Sequence, residues 1–179
     1  MKATVGSSEV YVWPYCPRVP MRESLEWLTD VIQANRGGDE LGRFRNAPRL
    51  WIEVSSTVEW PESIKPNNAL FQGASEPWVM PLWTQAESGV AVASGASSII
   101  VGTDYAEYEE GGLAFIRTSD SAWEIVEIAT VTSSGITLTG TVSGDYTGAL
   151  VMPARLGRIV QAPTIESGRL YSVFSFQWI

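Results

Sequence analysis

Four glutamates are the residues whose type and spacing come nearest to catalytic chemistry. Glu109 and Glu110 are adjacent, and Glu124 and Glu127 lie three positions apart. Glycoside hydrolysis uses two carboxyl groups that face each other across the scissile bond, and one of them needs burial to raise its pKa. We expect Glu109 and Glu110 to be solvated at the Gly-Gly turn that follows them. Because strand residues alternate between faces, Glu124 and Glu127 should point in opposite directions. The sequence therefore predicts no catalytic carboxylate pair.

The protein has no histidine and a single cysteine, Cys16. A Ser-His-Asp triad, a Cys-His pair and the usual zinc sites all need these residue types. A lone cysteine also excludes an internal disulfide and suits folding in a reducing cytoplasm. We therefore expect a protein that is not an enzyme and that uses no metal and no cofactor.

Arginine and tryptophan are the other side chains that could form a binding site. Four arginines cluster in one short stretch, at Arg36, Arg43, Arg45 and Arg49. They could contact phosphate, but Asp39 and Glu40 lie among them, so the favoured interpretation is ion pairing within or between subunits.

The protein also has eight tryptophans, which is more than one modest core usually consumes. Each buried aromatic side chain covers about 150–250 Å², and protein interfaces are enriched in Trp and Arg. For Trp13, Trp60 and Trp78, subunit contact is the first interpretation, ordinary core packing the second and a carbohydrate platform the third.

Charge, Pro and Trp divide the chain at the same boundaries. The net charge is −8, and residues 86–153 hold nine acids against Arg117 alone. Six of the eight tryptophans and eight of the ten prolines precede Ala86. The pattern predicts an outer β domain, 1–85 plus 154–179 with an N-terminal arm at 1–20, interrupted by an inserted acidic β module at 86–153. An acidic module repels phosphate, so we expect no specific nucleic-acid binding.

Short runs of β-branched and apolar residues separated by turn residues predict the strands of the module. Four to six strands in about 65 residues are typical of a small antiparallel barrel or sandwich. The predicted strands lie around Val90 and Val92, and at Ser98–Val101, Leu113–Thr118, Ala122–Thr132, Gly135–Thr141 and Ala149–Met152.

The outer part is less uniform. Three prolines predict that 11–20 is extended, and alternation predicts strands at 49–60 and 170–179. The segment 21–34 fits helical spacing and strand alternation about equally well. A turn at Gly37-Gly38 would favour a hairpin into 40–45.

Several motifs, in this order along the chain, resemble minor tail proteins of long-tailed bacteriophages, of the distal-tail or baseplate type. The first is Trp27-Leu28-Thr29-Asp30-Val31, followed by the Gly37-Gly38 turn. The return strand then matches at Glu40, Arg43, Arg45 and Pro48-Arg49. Pro81-Leu82-Trp83, then Leu113 with Glu124, Val126 and Glu127, and finally Pro153-Ala154-Arg155-Leu156 continue the match, whereas Gly42 and Phe44 depart from it.

The resemblance covers about Glu23 to Phe176 and implies a tail-tube-like β-sandwich, with strand rather than helix at 21–34. It also implies a hexameric ring that joins the tail tube to the tip hub near the tape measure. The chain would be made in the host cytoplasm and reside in the virion tail tip. The combined candidates for the subunit interface are Trp13, Trp27, Asp30, Arg36, Glu40, Arg43, Arg45, Arg49, Trp60 and Trp78.

The rival hypothesis is a carbohydrate-binding or host-receptor-binding β module, because two β domains with spare tryptophans also suit that role. A ring component should form a closed oligomer, whereas a receptor-binding module should stay discrete and bind glycan.

No stretch approaches the roughly 18 apolar residues of a membrane span, and residues 1–12 lack the apolar centre of a signal peptide. We therefore expect no membrane insertion.

Overall fold

The structure is a computed structural model that describes residues 1–27, 49–161, 163–168 and 171–179 in full and the backbone of 29–33 and 39–43. The fold is mostly β and β-sandwich-like, as the sequence predicts. In chain order the strands are β1 (Lys2–Val5), β2 (Ser8–Val12), β3 (Arg22–Glu26), β4 (Thr29–Gln33), β5 (Asp39–Arg43), β6 (Arg49–Glu59), β7 (Trp78–Pro81), β8 (Glu87–Val92), β9 (Ser98–Ile99), β10 (Leu113–Arg117), β11 (Trp123–Thr132), β12 (Gly135–Leu138), β13 (Tyr146–Gly157), β14 (Thr164–Ser167) and β15 (Tyr171–Trp178). A helix, α1 (Ile64–Gly73), lies between β6 and β7, and a 3-10 turn (Trp83–Gln85) follows β7.

The larger sheet is curled and has nine strands in the described part of the chain. Its order is β1-β2-β7-β13-β10-β11-β12-β9, with β8 also paired to β13. Every pairing is antiparallel except that of β2 with β7. Strand β1 also lies near β11, which bends the sheet back on itself.

Strand β13 joins the two halves of this sheet. It pairs with β10 along one side, while on its other side it pairs first with β8 and then with β7. Pro153, which has no N–H to donate, stands where β13 passes from one neighbour to the other. The predicted strand at 149–152 is therefore only the middle of a longer one.

Strand β10 is buried on both faces. Ala114 and Ile116 pack into a core formed entirely from residues 90–151, whereas Leu113 and Phe115 pack into a second core on the opposite face. This second core mixes residues of the two predicted domains, because Val12 and Val79 meet Phe115 there. The division into an outer domain and an inserted module stays a prediction.

The smaller sheet has the order β14-β15-β6-β3, and all its pairings are antiparallel. The even-numbered residues of β6 from Ile52 to Val58 are buried. They face a third, aromatic core that also contains Leu70 of α1 and Trp178 of β15. The odd-numbered residues face outward, so the alternation that predicted this strand also assigns its faces.

Backbone pairing at β4 and β5 decides between helix and strand for 21–34. Val31 stands opposite Leu41, and β3 precedes β4 in an extended conformation. The strand interpretation and the hairpin are therefore confirmed, although the predicted turn at Gly37-Gly38 lies outside the described residues. Strand β3 pairs with β6, and the β4–β5 hairpin lies between these two strands in the sequence.

Two elements were not expected from the sequence. Helix α1 contains Pro66 in its first turn and two asparagines after it, which are weak helix formers. It forms because Ala69 and Leu70 are buried in the aromatic core. The N-terminal arm is also packed rather than free, since β1 and β2 join the large sheet and Tyr15 is buried.

Candidate interaction surface

The smaller sheet has two exposed edges in the described part of the chain. Every residue of β3 and every residue of β14 is exposed. The outward face between these edges is mostly polar and includes side-chain contacts between strands. Arg22 lies 3.6 Å from the Glu53 carboxylate, and Gln177 donates a hydrogen bond to Glu53 at 3.0 Å. This face therefore suits contact with water.

The two edges run in opposite directions. Because β3, β6, β15 and β14 alternate in direction, β3 is antiparallel to β14 across the sheet. A second copy that placed its β14 beside β3 would continue the sheet with another antiparallel pair. An exposed edge offers unpaired backbone groups for such an addition.

A groove of about 730 Å³ opens at the end of the smaller sheet where β6 begins. Its apolar lining includes Leu25, Leu156 and Val160, whose exposed fractions are 63%, 54% and 47%. We call it the Arg-rimmed groove, and define it by Leu25, Arg49, Leu50, Trp51, Glu107, Arg155, Leu156, Arg158, Val160, Trp178 and Ile179.

The three arginines of the groove differ in their partners. Arg155 forms ion pairs with Glu107, at 3.4 Å, and with Glu109. Among the described residues, no carboxylate lies within ion-pair distance of Arg49 or Arg158. The groove therefore combines exposed apolar side chains with two positive charges that lack a described counter-ion.

Two of the sequence-predicted interface residues lie beside this groove. Arg49 is exposed in its lining, and Trp27 follows β3 at the same end with an exposed fraction of 45%. Trp60 is 64% exposed but follows the other end of β6. Ten residues of extended chain separate the two ends by roughly 33 Å. The three residues therefore do not form one patch.

The prediction of subunit contact is wrong for Trp13 and Trp78. Both are fully buried in the aromatic core. The Trp13 ring packs edge-on against Phe176 with centroids 4.8 Å apart, and its Nε1 donates to Ser56 Oγ at 3.1 Å. Trp78 Nε1 donates to the Gly73 carbonyl at 2.7 Å. Core packing, the second interpretation, accounts for both.

The remaining predicted residues fall on or near the β4–β5 hairpin. Asp30 stands opposite Gly42 in the backbone register, Glu40 stands opposite Ile32, and Arg43 is the last residue of β5. The side chains of these three, and Arg36 and Arg45 altogether, lie outside the described residues.

Two of the four glutamates that suggested catalysis, Glu124 and Glu109, form structural contacts. Glu124 accepts hydrogen bonds from the Ser143 N–H at 2.9 Å, the Gly144 N–H at 3.3 Å and the Tyr146 hydroxyl at 3.2 Å. Glu109, which we expected to be solvated, is exposed and also pairs with Arg155. The described residues contain no group of three or more potential metal ligands.

Sequence reasoning missed Arg155, Leu156 and Arg158 as lining residues. A signal was present, because 155–160 places two arginines among apolar residues before the last strands. The burial of only some of these side chains depends on how β13 meets the smaller sheet, which no local pattern specifies.

No helix in the described part of the chain is both long and apolar enough to cross a membrane.

No protein-family model matches the chain, and no curated protein matches it by sequence.

Proposed function

We propose that the protein is a structural, non-enzymatic subunit of a ring in the tail tip of a long-tailed bacteriophage. The ring joins the tail tube to the tip hub, near the tape measure, and is made of copies of this chain. The observation that carries the proposal is the smaller sheet, whose two exposed edges, β3 and β14, run in opposite directions.

Edge geometry supports a ring more than a pair. When β14 of one copy lies beside β3 of the next, each copy uses two different edges, so the contact is head-to-tail, the kind that forms a ring when the rotation between copies closes. Closure also removes the exposed edges, which otherwise invite uncontrolled association. The polar outward face of the sheet, with Glu53 and Gln177, then suits a water-filled channel.

The acidic segment 86–153 has a different place in this arrangement. It carries nine acids and one base, and packing such segments together costs energy that salt only partly screens. We therefore place it away from the seams between neighbouring sheets, facing solvent or a more basic partner surface.

Disulfide trapping tests the ring directly. Ser24 on β3 and Thr164 or Glu166 on β14 lie on the outward face, in register with Trp51, Ser175 and Val173. A chain with Cys16→Ser, Ser24→Cys and either Thr164→Cys or Glu166→Cys should form a ladder of cross-linked species under oxidation. The ladder should end at the ring number, which the resemblance sets at six. The two β14 positions allow for a two-residue shift in register.

Chains that carry one introduced cysteine are the control. In a head-to-tail ring, neither Ser24→Cys alone nor Thr164→Cys alone should cross-link, because each edge meets the other kind. Dimers from a single cysteine would indicate a two-fold contact between like edges. No cross-linking in the double variants, in solution or in tail particles, would refute the ring.

A further inference from the structure

An exposed loop of the acidic segment is complementary to the Arg-rimmed groove in charge and in apolar character. We call residues 100–107 the Tyr105 loop. Tyr105 is 99% exposed and Ile100 is 83% exposed, and Asp104 is an exposed carboxylate next to Tyr105. Single exposed apolar side chains are common on proteins, but here an aromatic ring, an aliphatic side chain and an acid share one short loop.

The loop is held at both ends, which leaves its tip preorganised. The Gly102 N–H donates to Glu87 Oε2 at 2.6 Å, and the Glu107 N–H donates to Gln85 Oε1 at 2.6 Å. Thr103 Oγ1 also donates to the Thr132 carbonyl at 2.8 Å. An exposed aromatic residue on a fixed loop loses little conformational entropy on binding.

We propose that the Tyr105 loop of one copy binds in the Arg-rimmed groove of a second copy. Tyr105 then packs against Leu25, Leu156 and Val160, and Asp104 meets Arg158. Arg49, the other cation without a described counter-ion, adds to the attraction. Apolar anchors surrounded by complementary charge are the usual composition of binding hot spots.

Geometry makes this contact reciprocal. Glu107, which ends the loop, also lines the groove of its own chain. Tyr105 is two positions before Glu107, so their Cα atoms lie within about 7 Å of each other. With loop and groove side by side, a two-fold axis lets each copy give its loop to the other's groove. The contact can pair two chains, or two rings face to face.

This inference rests on the proposed self-assembly and adds a surface that shares only Leu25 with the β3 and β14 edges. A charge exchange tests it. We expect Arg158→Glu alone and Asp104→Arg alone each to weaken pairing, and a one-to-one mixture of the two to restore it. In that mixture, each contact again joins one acid and one base. Masses measured by light scattering over a concentration series give the dissociation constants.

Truncation of the anchor gives a second measurement. Tyr105→Ala should weaken pairing roughly 30-fold or more, the range of a hot-spot aromatic. Two control variants should leave the dissociation constant unchanged: Tyr171→Ala, at a tyrosine that is 52% exposed, and Glu110→Arg, at another exposed acid of the same segment. Circular dichroism checks that each variant is folded.

Failure of this contact and failure of the ring give different results. If Arg158→Glu and Asp104→Arg leave the mass unchanged, or if their mixture does not recover, the groove has another occupant and the inference is wrong. If wild-type chains stay monomeric throughout, it is also wrong. Cross-linking between the β3 and β14 edges through Ser24→Cys tests the ring alone. If cross-linking is lost while pairing in light scattering is retained, the ring fails; if pairing is lost while cross-linking is retained, the loop contact fails.

Discussion

Glu124 is the clearest case of an acid whose role is structural. Its carboxylate bridges β11 to the turn before β13 by accepting hydrogen bonds from Ser143 and Gly144, and from the hydroxyl of Tyr146. A carboxylate that accepts several backbone N–H groups fixes a turn in the way that a capping residue fixes a helix end. The same residue type in the same sequence looked like a candidate for acid–base chemistry.

Replacing this carboxylate should destabilise the fold measurably. We expect Glu124→Ala to lower the free energy of unfolding by about 1–2 kcal/mol, since it leaves turn donors without their acceptor. Glu127→Ala is the matched control. It removes the same charge from the same strand, and no described side-chain hydrogen bond depends on it. Urea denaturation followed by circular dichroism measures both, and equal effects would contradict this role for Glu124.

At the scale of elements, β10 and β13 connect the acidic segment to the rest of the molecule. Adjacent residues of β10 point into different cores, Phe115 into the mixed core and Ile116 into the core of residues 90–151. Both side chains are fully buried. A strand buried on both faces reads as a continuous apolar run, which is what Leu113–Ile116 is.

Truncations on the two faces of β10 should therefore have the same global effect. Phe115→Ala should cost about 3–5 kcal/mol and Ile116→Ala about 2–5 kcal/mol, from lost burial and a residual cavity. We expect one cooperative transition in each case. Circular dichroism and tryptophan fluorescence should give coincident urea curves. A separate early transition in Ile116→Ala would show that residues 86–153 unfold as an independent domain, as an inserted module could.

At the scale of the whole molecule, three buried tyrosines link stability to alkaline pH. Burial, with a smaller contribution from Glu124, raises the pKa of Tyr146 to about 12. Burial, and then nearby carboxylates, also raises the pKa of Tyr15 and of Tyr108. Tyr15 lies in the aromatic core, whereas Tyr108 and Tyr146 lie in the core of residues 90–151.

These shifts predict a loss of stability above pH about 10. In the unfolded chain a tyrosine loses its proton near pH 10, whereas the folded protein keeps the proton on these three. The unfolded state is therefore favoured as the pH rises, and the contribution of Tyr146 falls away between pH about 10 and about 12. Urea midpoints across this range measure the loss. Tyr146→Phe, compared with its own value at neutral pH, should lose less, and an equal loss would contradict the assignment.

The sequence by itself determined the elements that depend on local patterns. Alternation of apolar and polar residues predicts β6 and β15, and Gly and Ser turns separate the strands of the acidic segment. Such patterns suffice there because a strand's period of two and a turn's need for small polar residues act over a few neighbouring positions. At 21–34 the local patterns fit helix and strand about equally well. Only the resemblance favoured strand, which the pairing of β4 with β5 confirms.

Only the tertiary structure decided which side chains are buried and which remain available for contact. The sequence does not distinguish Trp13, Trp60 and Trp78, yet Trp13 and Trp78 are fully buried and Trp60 is 64% exposed. Helix α1 forms because its Ala69 and Leu70 reach a core, despite Pro66 and two asparagines. The Arg-rimmed groove joins residues near 25, 49, 107, 156 and 179. Burial and charge pairing depend on contacts between segments far apart in the chain, and these contacts exist only after the sheets have packed.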